Sequence, residues 1–127
     1  IDSLTNIFNA FISPNEDFMI FCSNEIKDKI GLTDYFIVFR SADDKWSKPI
    51  NMGPKINSRG DVASSATVTP DGKYLFFASN RTAKAIQNKQ TFKGLIEMWN
   101  YYQNGSADIY WMSSKIIDEL KEKAWQQ

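Results

Sequence analysis

The chain has 127 residues with 15 basic and 15 acidic side chains, a net charge of zero and no histidine. That length suits one domain (1–127), and 43% hydrophobic with 14% aromatic residues is enough for a packed core, which argues against disorder. The balanced charge without a Lys/Arg cluster argues against nucleic acid as a partner, no apolar run approaches the roughly 18–20 residues of a membrane span, and the missing histidine excludes His-based triads, His acid–base catalysis and the usual zinc sites.

The chain opens on Ile1 rather than Met, with no charged and apolar leader after it, and is read as a piece of a longer protein. Ile7 to Ser13 is apolar and β-prone, Pro14-Asn15-Glu16-Asp17 turns it, and Phe18 to Ser23 returns as the second strand of a hairpin. Residues 24–33 are a loop. Tyr35-Phe36-Ile37-Val38-Phe39 is a strand predicted to be buried on both faces. The lone cysteine, Cys22, sits in an apolar strand and has no disulfide partner in the chain, so it is expected in the core. A polar turn at 42–45 precedes Trp46-Ser47-Lys48-Pro49-Ile50, a short outer strand in which an edge position spares the proline's missing N–H.

Asn51 to Ser58 is a connector dense in turn residues, and Arg59 to Ser64 leads into a second hairpin. Its strands are Ala66 to Thr69 and Tyr74 to Ser79, joined through Pro70-Asp71-Gly72-Lys73. There proline pre-sets φ and Gly72 supplies a positive φ. Phe92, Leu95, Ile96 and Trp99 follow helical spacing, which predicts a helix near 91–102 with Phe92 and Trp99 facing the protein and Gly105 available for a left-handed turn. Ile109 to Met112 is the next strand. Ile116, Ile117 and Leu120 make the tail, 114–123, a short amphipathic helix.

Residues 10–24 read again at 66–80 with a constant offset of 56. Each copy is followed by an Asp that opens a strand, Asp34 and Asp108, and the second copy is 18 residues longer before that Asp. A repeat of this size is one supersecondary unit that buries its faces only by stacking.

Thr69-Pro70-Asp71-Gly72-Lys73-Tyr74-Leu75-Phe76-Phe77-Ala78-Ser79-Asn80-Arg81, with Asp108-Ile109-Tyr110, resembles the WD40-like PD40 repeat of TolB-type β-propellers. Trp46 to Asn57 looks like that family's outer strand and connector. The first copy departs from the pattern at Asn15-Glu16-Asp17 and at Tyr35-Phe36. The resemblance implies an all-β fold of antiparallel four-stranded propeller blades. Blade one would span about 7–52 and blade two about 62–113, with an insertion at 81–106 and a C-terminal helix. Two blades do not close a ring, so further blades or copies of the chain are implied. It also implies a bacterial envelope setting, periplasmic or extracellular.

Pro14, Asp34, Pro70, Asp71, Gly72 and Asp108 are read as the structural motif of the repeat. Asp34 and Asp108 are either ligand carboxylates or caps of a turn. Asp17, Asp43 and Asp44 are calcium candidates without a calcium-loop motif, so no metal is assigned and no cofactor is implied. Trp46 and Trp111 either stack on a sugar or pack between sheets, and Tyr74, Phe76 and Phe77 are expected in the core. Ser64-Ser65 and Ser113-Ser114-Lys115 lie in no recognisable nucleophile motif. The insertion is the place to seek function, with Arg81, Trp99, Tyr101 and Tyr102 as contact residues. The reading is a non-catalytic module that binds a protein or glycan through rim loops. The alternatives are the propeller portion of a hydrolase or polysaccharide lyase whose catalytic centre lies elsewhere, and a purely structural segment.

Overall fold

Each copy of the repeat folds as a hairpin, and the two turns match bond for bond in the structure, a computed structural model that describes residues 6–83 and 91–126. Ser13 N–H donates to the Phe18 carbonyl at 3.0 Å and Glu16 N–H to the Ser13 carbonyl at 2.8 Å. At an offset of 56, Thr69 N–H donates to Tyr74 at 2.9 Å and Gly72 N–H to Thr69 at 2.8 Å. The hydroxyls of Ser13 and Thr69 each accept a main-chain N–H of the returning strand. Gly72 has φ 72°, and Glu16 in the same place takes φ 56°, a left-handed conformation a side chain rarely adopts.

The chain is mostly β, with two antiparallel sheets and two short helices. The first sheet runs in chain order through β1 (Ile7–Ile12), β2 (Phe18–Ser23), β3 (Asp34–Phe39) and β4 (Ile50–Asn51). The second contains β5 (Ala66–Val68), β6 (Tyr74–Ser79) and β7 (Asp108–Ser113). Helix α1 (Phe92–Trp99) stands between β6 and β7, and α2 (Lys115–Ala124) follows β7. Part of the expected insertion, 84–90, lies outside the described residues.

The pairing register repeats with the sequence. Ser23 faces Asp34 as Ser79 faces Asp108, and Met19 faces Val38 as Leu75 faces Met112. The equivalence also reaches beyond the sequence repeat. The Asn24 side chain accepts from Asn6, while Asn80 accepts from Val62 N–H, again 56 residues on.

Two expectations change. The second sheet has three strands, not four. After β7 the chain turns at once into α2, whose Ile116, Ile117, Leu120 and Ala124 are buried at helical spacing, and among the described residues no strand pairs with the outer edge of β7. The outer strand of the first sheet is also shorter than Trp46 to Ile50. Trp46 makes only an isolated bridge to Arg40, and the Ser47 hydroxyl takes the Phe39 N–H at 3.0 Å where a ladder would otherwise run.

The two faces of each sheet have separate fates. In the first sheet Ile20, Cys22, Tyr35, Ile37 and Phe39 lie on one face, buried against Leu75, Phe77, Tyr110 and Met112 of the second. Phe21, Phe36 and Val38 lie on the opposite face and are also buried, with Ile7, Met19 and Ile26 packed beside them. As β3 is fully buried, its continuous apolar run is accounted for. In the second sheet the inner residues are buried or half-buried, while Tyr74, Ile109 and Trp111 on the outer face are exposed.

Candidate functional site

The base of the insertion is tied by Ala83 N–H to the Gln103 carbonyl at 3.0 Å and by a bridge between Thr82 and Asn104. Thr91 caps α1, its hydroxyl accepting Gly94 N–H at 3.0 Å. Beyond the helix, the Asn104 side chain donates to the Trp99 carbonyl at 3.0 Å, and Gly105 takes φ 90° with Thr82 close by. The left-handed turn expected at Gly105 is present.

The orientation of α1 is the reverse of the sequence expectation. Phe92 is 80% exposed and Trp99 79%, and Leu95 and Ile96 between them are exposed as well. The buried side of the helix is Gly94, with Met98 half-buried one turn later. At 3.6 residues per turn that side is about 130° away from the apolar stripe. The stripe is left in solvent. Tyr101 and Tyr102 stack with ring centroids 4.8 Å apart, and Tyr102 is 62% exposed. Hydrogen bonding to the Tyr102 hydroxyl pushes the Tyr101 phenol above its ordinary range. Phe92 and Trp99 are thus exposed on one face of α1, and Tyr101 and Tyr102 are exposed just after the helix in the chain.

Arg81 does not join them. Its Nε donates to the Ser79 hydroxyl at 2.8 Å and its Nη2 to the Ile56 carbonyl at 2.7 Å. Its guanidinium lies 4.8 Å from the Tyr110 ring centroid and 5.5 Å from that of Phe77. The arginine fastens the second sheet to the connector. Burial, followed by the nearby Asp108 charge, raises the Tyr110 phenol.

The carboxylates act on the main chain. Asp34, fully buried, accepts Ile30 N–H at 2.6 Å, Gly31 N–H at 2.8 Å and the Asn51 amide at 2.7 Å, which makes it a turn cap. Asp108 is half-buried at the start of β7, opposite Ser79. A second carboxylate network is built on Asp61, in the connector that precedes β5. It accepts the Ser79 hydroxyl at 2.5 Å, Asn80 N–H at 2.8 Å and the Ser58 hydroxyl at 3.1 Å. Asn57 is buried too, pairing through its amide with both the N–H and the carbonyl of Tyr35. Neither Asp61 nor Asn57 stands out in the sequence. Their signal is a turn-dense connector in which only an Asx side chain can satisfy buried main-chain groups.

Of the calcium candidates, Asp17 and Asp44 line one groove with Glu16 and Arg40, and each of the three has its own partner. Asp17 accepts from the Ser13 hydroxyl, Asp43 pairs with Lys45 at 2.7 Å and Asp44 with Arg40 at 2.9 Å. Lys45, and then the Ser41 hydroxyl, hold the Asp43 carboxyl below its usual range, and the Thr69 hydroxyl with Lys73 N–H does the same for Asp71. Among the described residues no group of three acidic or thiol side chains is placed to hold a metal. Pro14, Pro70, Asp71 and Gly72 occupy the exposed hairpin turns. Ser64 and Ser65 give their N–H groups to the Tyr35 hydroxyl, and the Ser114 hydroxyl donates to the Gly72 carbonyl.

Trp46 is exposed beside Arg40, and Trp111 meets Tyr74 edge-on at 5.4 Å on the outer face of the second sheet. Of the three aromatics of β6 expected in the core, Phe77 is buried, Phe76 half-buried and Tyr74 exposed, because strand alternation sends Tyr74 and Phe76 outward. A groove of about 340 Å³ runs over that face, lined among others by Thr67, Phe76 and Ile109. Among the described residues no helix is long and apolar enough to cross a membrane. Comparison with protein-family models, with curated proteins and with solved structures finds no match to the chain.

Proposed function

We propose that the chain is a non-catalytic binding module built from two PD40-type propeller blades, and that it binds a protein partner through the insertion of its second unit. The envelope setting, periplasmic or extracellular, is part of the same reading. The observation that carries it is the solvent-facing stripe of α1. Phe92, Leu95, Ile96 and Trp99 fall at i, i+3, i+4 and i+7, the anchor spacing of a helix laid into an apolar groove. A protein groove fits this surface better than a glycan, because two of the four anchors are aliphatic and line up along one helix face. Tyr101 and Tyr102 extend the contact with a hydroxyl-bearing rim. Arg81 belongs to the scaffold that holds the insertion, and drops out of the contact set.

The test is titration calorimetry of purified partner, identified by site-specific photo-cross-linking from position 95, against the wild-type chain, Phe92→Ala/Trp99→Ala and Tyr101→Ala/Tyr102→Ala. Loss of at least about tenfold in affinity is expected for the helix pair, as for buried aromatic anchors, with unchanged circular dichroism. Equal affinity for all three proteins overturns the site. Substrate turnover that disappears on replacing this chain's carboxylates overturns the non-catalytic reading.

A further inference from the structure

We infer that the outer edge of β7 is a strand-acceptor site. Its occupant is an extended segment of a partner protein, antiparallel to β7, in which an apolar residue is followed by asparagine. The first sheet shows how such an edge is filled. There β4 pairs antiparallel with β3, with Ile50 opposite Ile37 and Asn51 opposite Phe36. Met52 N–H donates to the Tyr35 carbonyl at 3.1 Å, and Ser47 N–H to the Phe39 carbonyl at 2.8 Å. The Asn57 side chain closes the end of this ladder, accepting the Tyr35 N–H at 2.8 Å and donating to the Tyr35 carbonyl at 3.1 Å. By pairing register, Ile109, Tyr110, Trp111 and Ser113 of β7 stand where Tyr35, Phe36, Ile37 and Phe39 stand in β3. Among the described residues the second sheet stops at β7, and nothing takes the part that β4, Ser47 and Asn57 play in the first.

Three observations choose this occupant. The first is the direction of the main chain. Ser114 N–H points back at β6, where it donates to the Lys73 carbonyl at 3.0 Å. Strand alternation then turns the N–H and C=O groups of Ile109, Trp111 and Ser113 the other way, off the edge of the sheet. A row of alternating donors and acceptors is matched by another extended main chain, and not by an apolar surface. Helix α2 turns away from this edge, since its buried residues join the core between the two sheets. The second is Asp108. In the first sheet the Asn51 amide of the edge strand donates to the Asp34 carboxylate at 2.7 Å. Asp108 holds the place of Asp34 by register and is half-buried, and among the described residues nothing donates to its carboxylate. An asparagine opposite Tyr110, placed as Asn51 is opposite Phe36, supplies that donor. The residue before it then faces Trp111, in the place of Ile50, and an apolar side chain there covers the exposed Ile109 and Trp111. The third is that the chain's own segment with this pattern, Ile50-Asn51, is committed to β3. A second copy therefore has no such strand to lend.

The inference goes beyond the function proposed for α1 and does not rest on it. The probe is a synthetic peptide with the sequence of Trp46 to Ser58, added to the isotope-labelled chain and followed by amide chemical shifts and hydrogen exchange. Saturable shifts and slowed exchange are expected at Ile109, Trp111 and Ser113, and not with a scrambled peptide. Main-chain pairing is read from two N-methylated peptides on the wild-type chain, so this arm depends on no variant's folding. Methylation at the Ile50 position blocks an N–H that faces the sheet and is expected to lower affinity at least ~10-fold. Methylation at the Asn51 position, whose N–H faces away, is expected to leave affinity within ~3-fold. Asp108→Ala, checked for folding by circular dichroism, is expected to weaken the unmodified peptide and not one with alanine at the Asn51 position. No binding at ~1 mM peptide overturns the inference, as does equal binding of the scrambled peptide or an equal loss from both methylated ones. Shifts centred on Tyr35 and Ile37 overturn it by showing exchange with β4, and protection of β7 that rises with chain concentration alone overturns it by placing a second copy there.

Discussion

The Tyr35 hydroxyl, carried by the first sheet, lies 2.8 Å from the carbonyl of Ser65, the residue just before β5 of the second, and accepts the Ser65 N–H at 3.1 Å. It also accepts Ser64 N–H at 3.1 Å and lies 2.8 Å from the Ala78 carbonyl. One buried oxygen therefore satisfies two N–H groups and donates its single hydrogen to one of two carbonyls. Tyr35→Phe keeps the ring and its edge contact with Phe77 but strands those groups. The expected loss is about 2–3 kcal/mol in urea unfolding, the cost of leaving buried donors unpaired. A loss below about 0.5 kcal/mol removes the hydroxyl from the account of how the sheets are joined.

Asp34 is expected to be a structural carboxylate and not a metal ligand. Its two oxygens are engaged by Ile30, Gly31 and Asn51, so Asp34→Ala leaves three donors without an acceptor. A loss of about 3 kcal/mol is expected. Calcium or a chelator is expected to leave the thermal midpoint of the wild type unchanged, and a calcium-dependent rise abolished by Asp34→Ala refutes the assignment. Gly31→Ala is a companion test. A Cβ there meets the Ser58 carbonyl oxygen at 2.7 Å and that of Asp61 at 2.8 Å, and both are main chain and cannot swing aside.

Glu16→Gly is expected to stabilise the protein. Glu16 holds φ 56° at the position where the second copy has Gly72. A left-handed conformation costs a side-chain-bearing residue about 1–2 kcal/mol, and glycine almost none. The substitution also removes the exposed Glu16–Arg40 pair at 3.1 Å, but Arg40 retains Asp44 at 2.9 Å, and exposed pairs of this kind contribute little. A net gain of about 0.5 kcal/mol is expected from urea midpoints at constant slope. A less stable variant shows that the ion pair outweighs the backbone strain.

The hairpins were legible because their signals are local. A Pro-containing turn between two β-prone runs fixes β1–β2 and β5–β6, and the predicted Phe18 to Ser23 and Tyr74 to Ser79 coincide with the observed strands. The two helices fall within a residue or a few of their expected spans, 92–99 against 91–102 and 115–124 against 114–123. Which way α1 faces was not legible. An apolar stripe normally points to the core, and nothing in the spacing of Phe92 and Trp99 shows that the Gly94 side packs instead. The same limit applies to Arg81, since its partners Ser79 and Ile56 are set by how the connector folds back. Asp61 was hidden because the sequence repeat places Asp108, and not Asp61, opposite Asp34.

Cys22 gives a pH test of the core between the sheets. Burial pushes its thiol from 9.0 up to about 12, and burial also raises the neighbouring Tyr35 phenol. A raised acid stays neutral in the folded chain after it has ionised in the unfolded one. Its contribution is therefore complete below about pH 9, falls as pH rises above that value, and is gone once pH passes about 12. The difference in unfolding free energy between the wild type and Cys22→Ala is expected to shrink steadily from pH 8 towards pH 11, while native-state alkylation at pH 8 stays slow. A difference independent of pH, or a thiol that reacts at the rate of a free peptide, contradicts the buried environment.

Arg81 separates scaffold from contact surface. Its guanidinium spends two donors on Ser79 and Ile56 and lies over the rings of Tyr110 and Phe77. Lysine keeps the charge but has no planar fork to serve both acceptors while lying over a ring, so Arg81→Lys is expected to rescue little of what Arg81→Ala loses. A loss of about 1–3 kcal/mol is expected for both, from the unpaired Ile56 carbonyl and the lost ring contacts. Partner affinity, measured at a temperature where both variants remain folded, is expected to stay within about threefold of wild type, in contrast to the helix pair Phe92 and Trp99, whose truncation removes anchors. Full stability with abolished binding returns Arg81 to the contact surface. Lost stability with retained binding places it in the frame that carries the insertion.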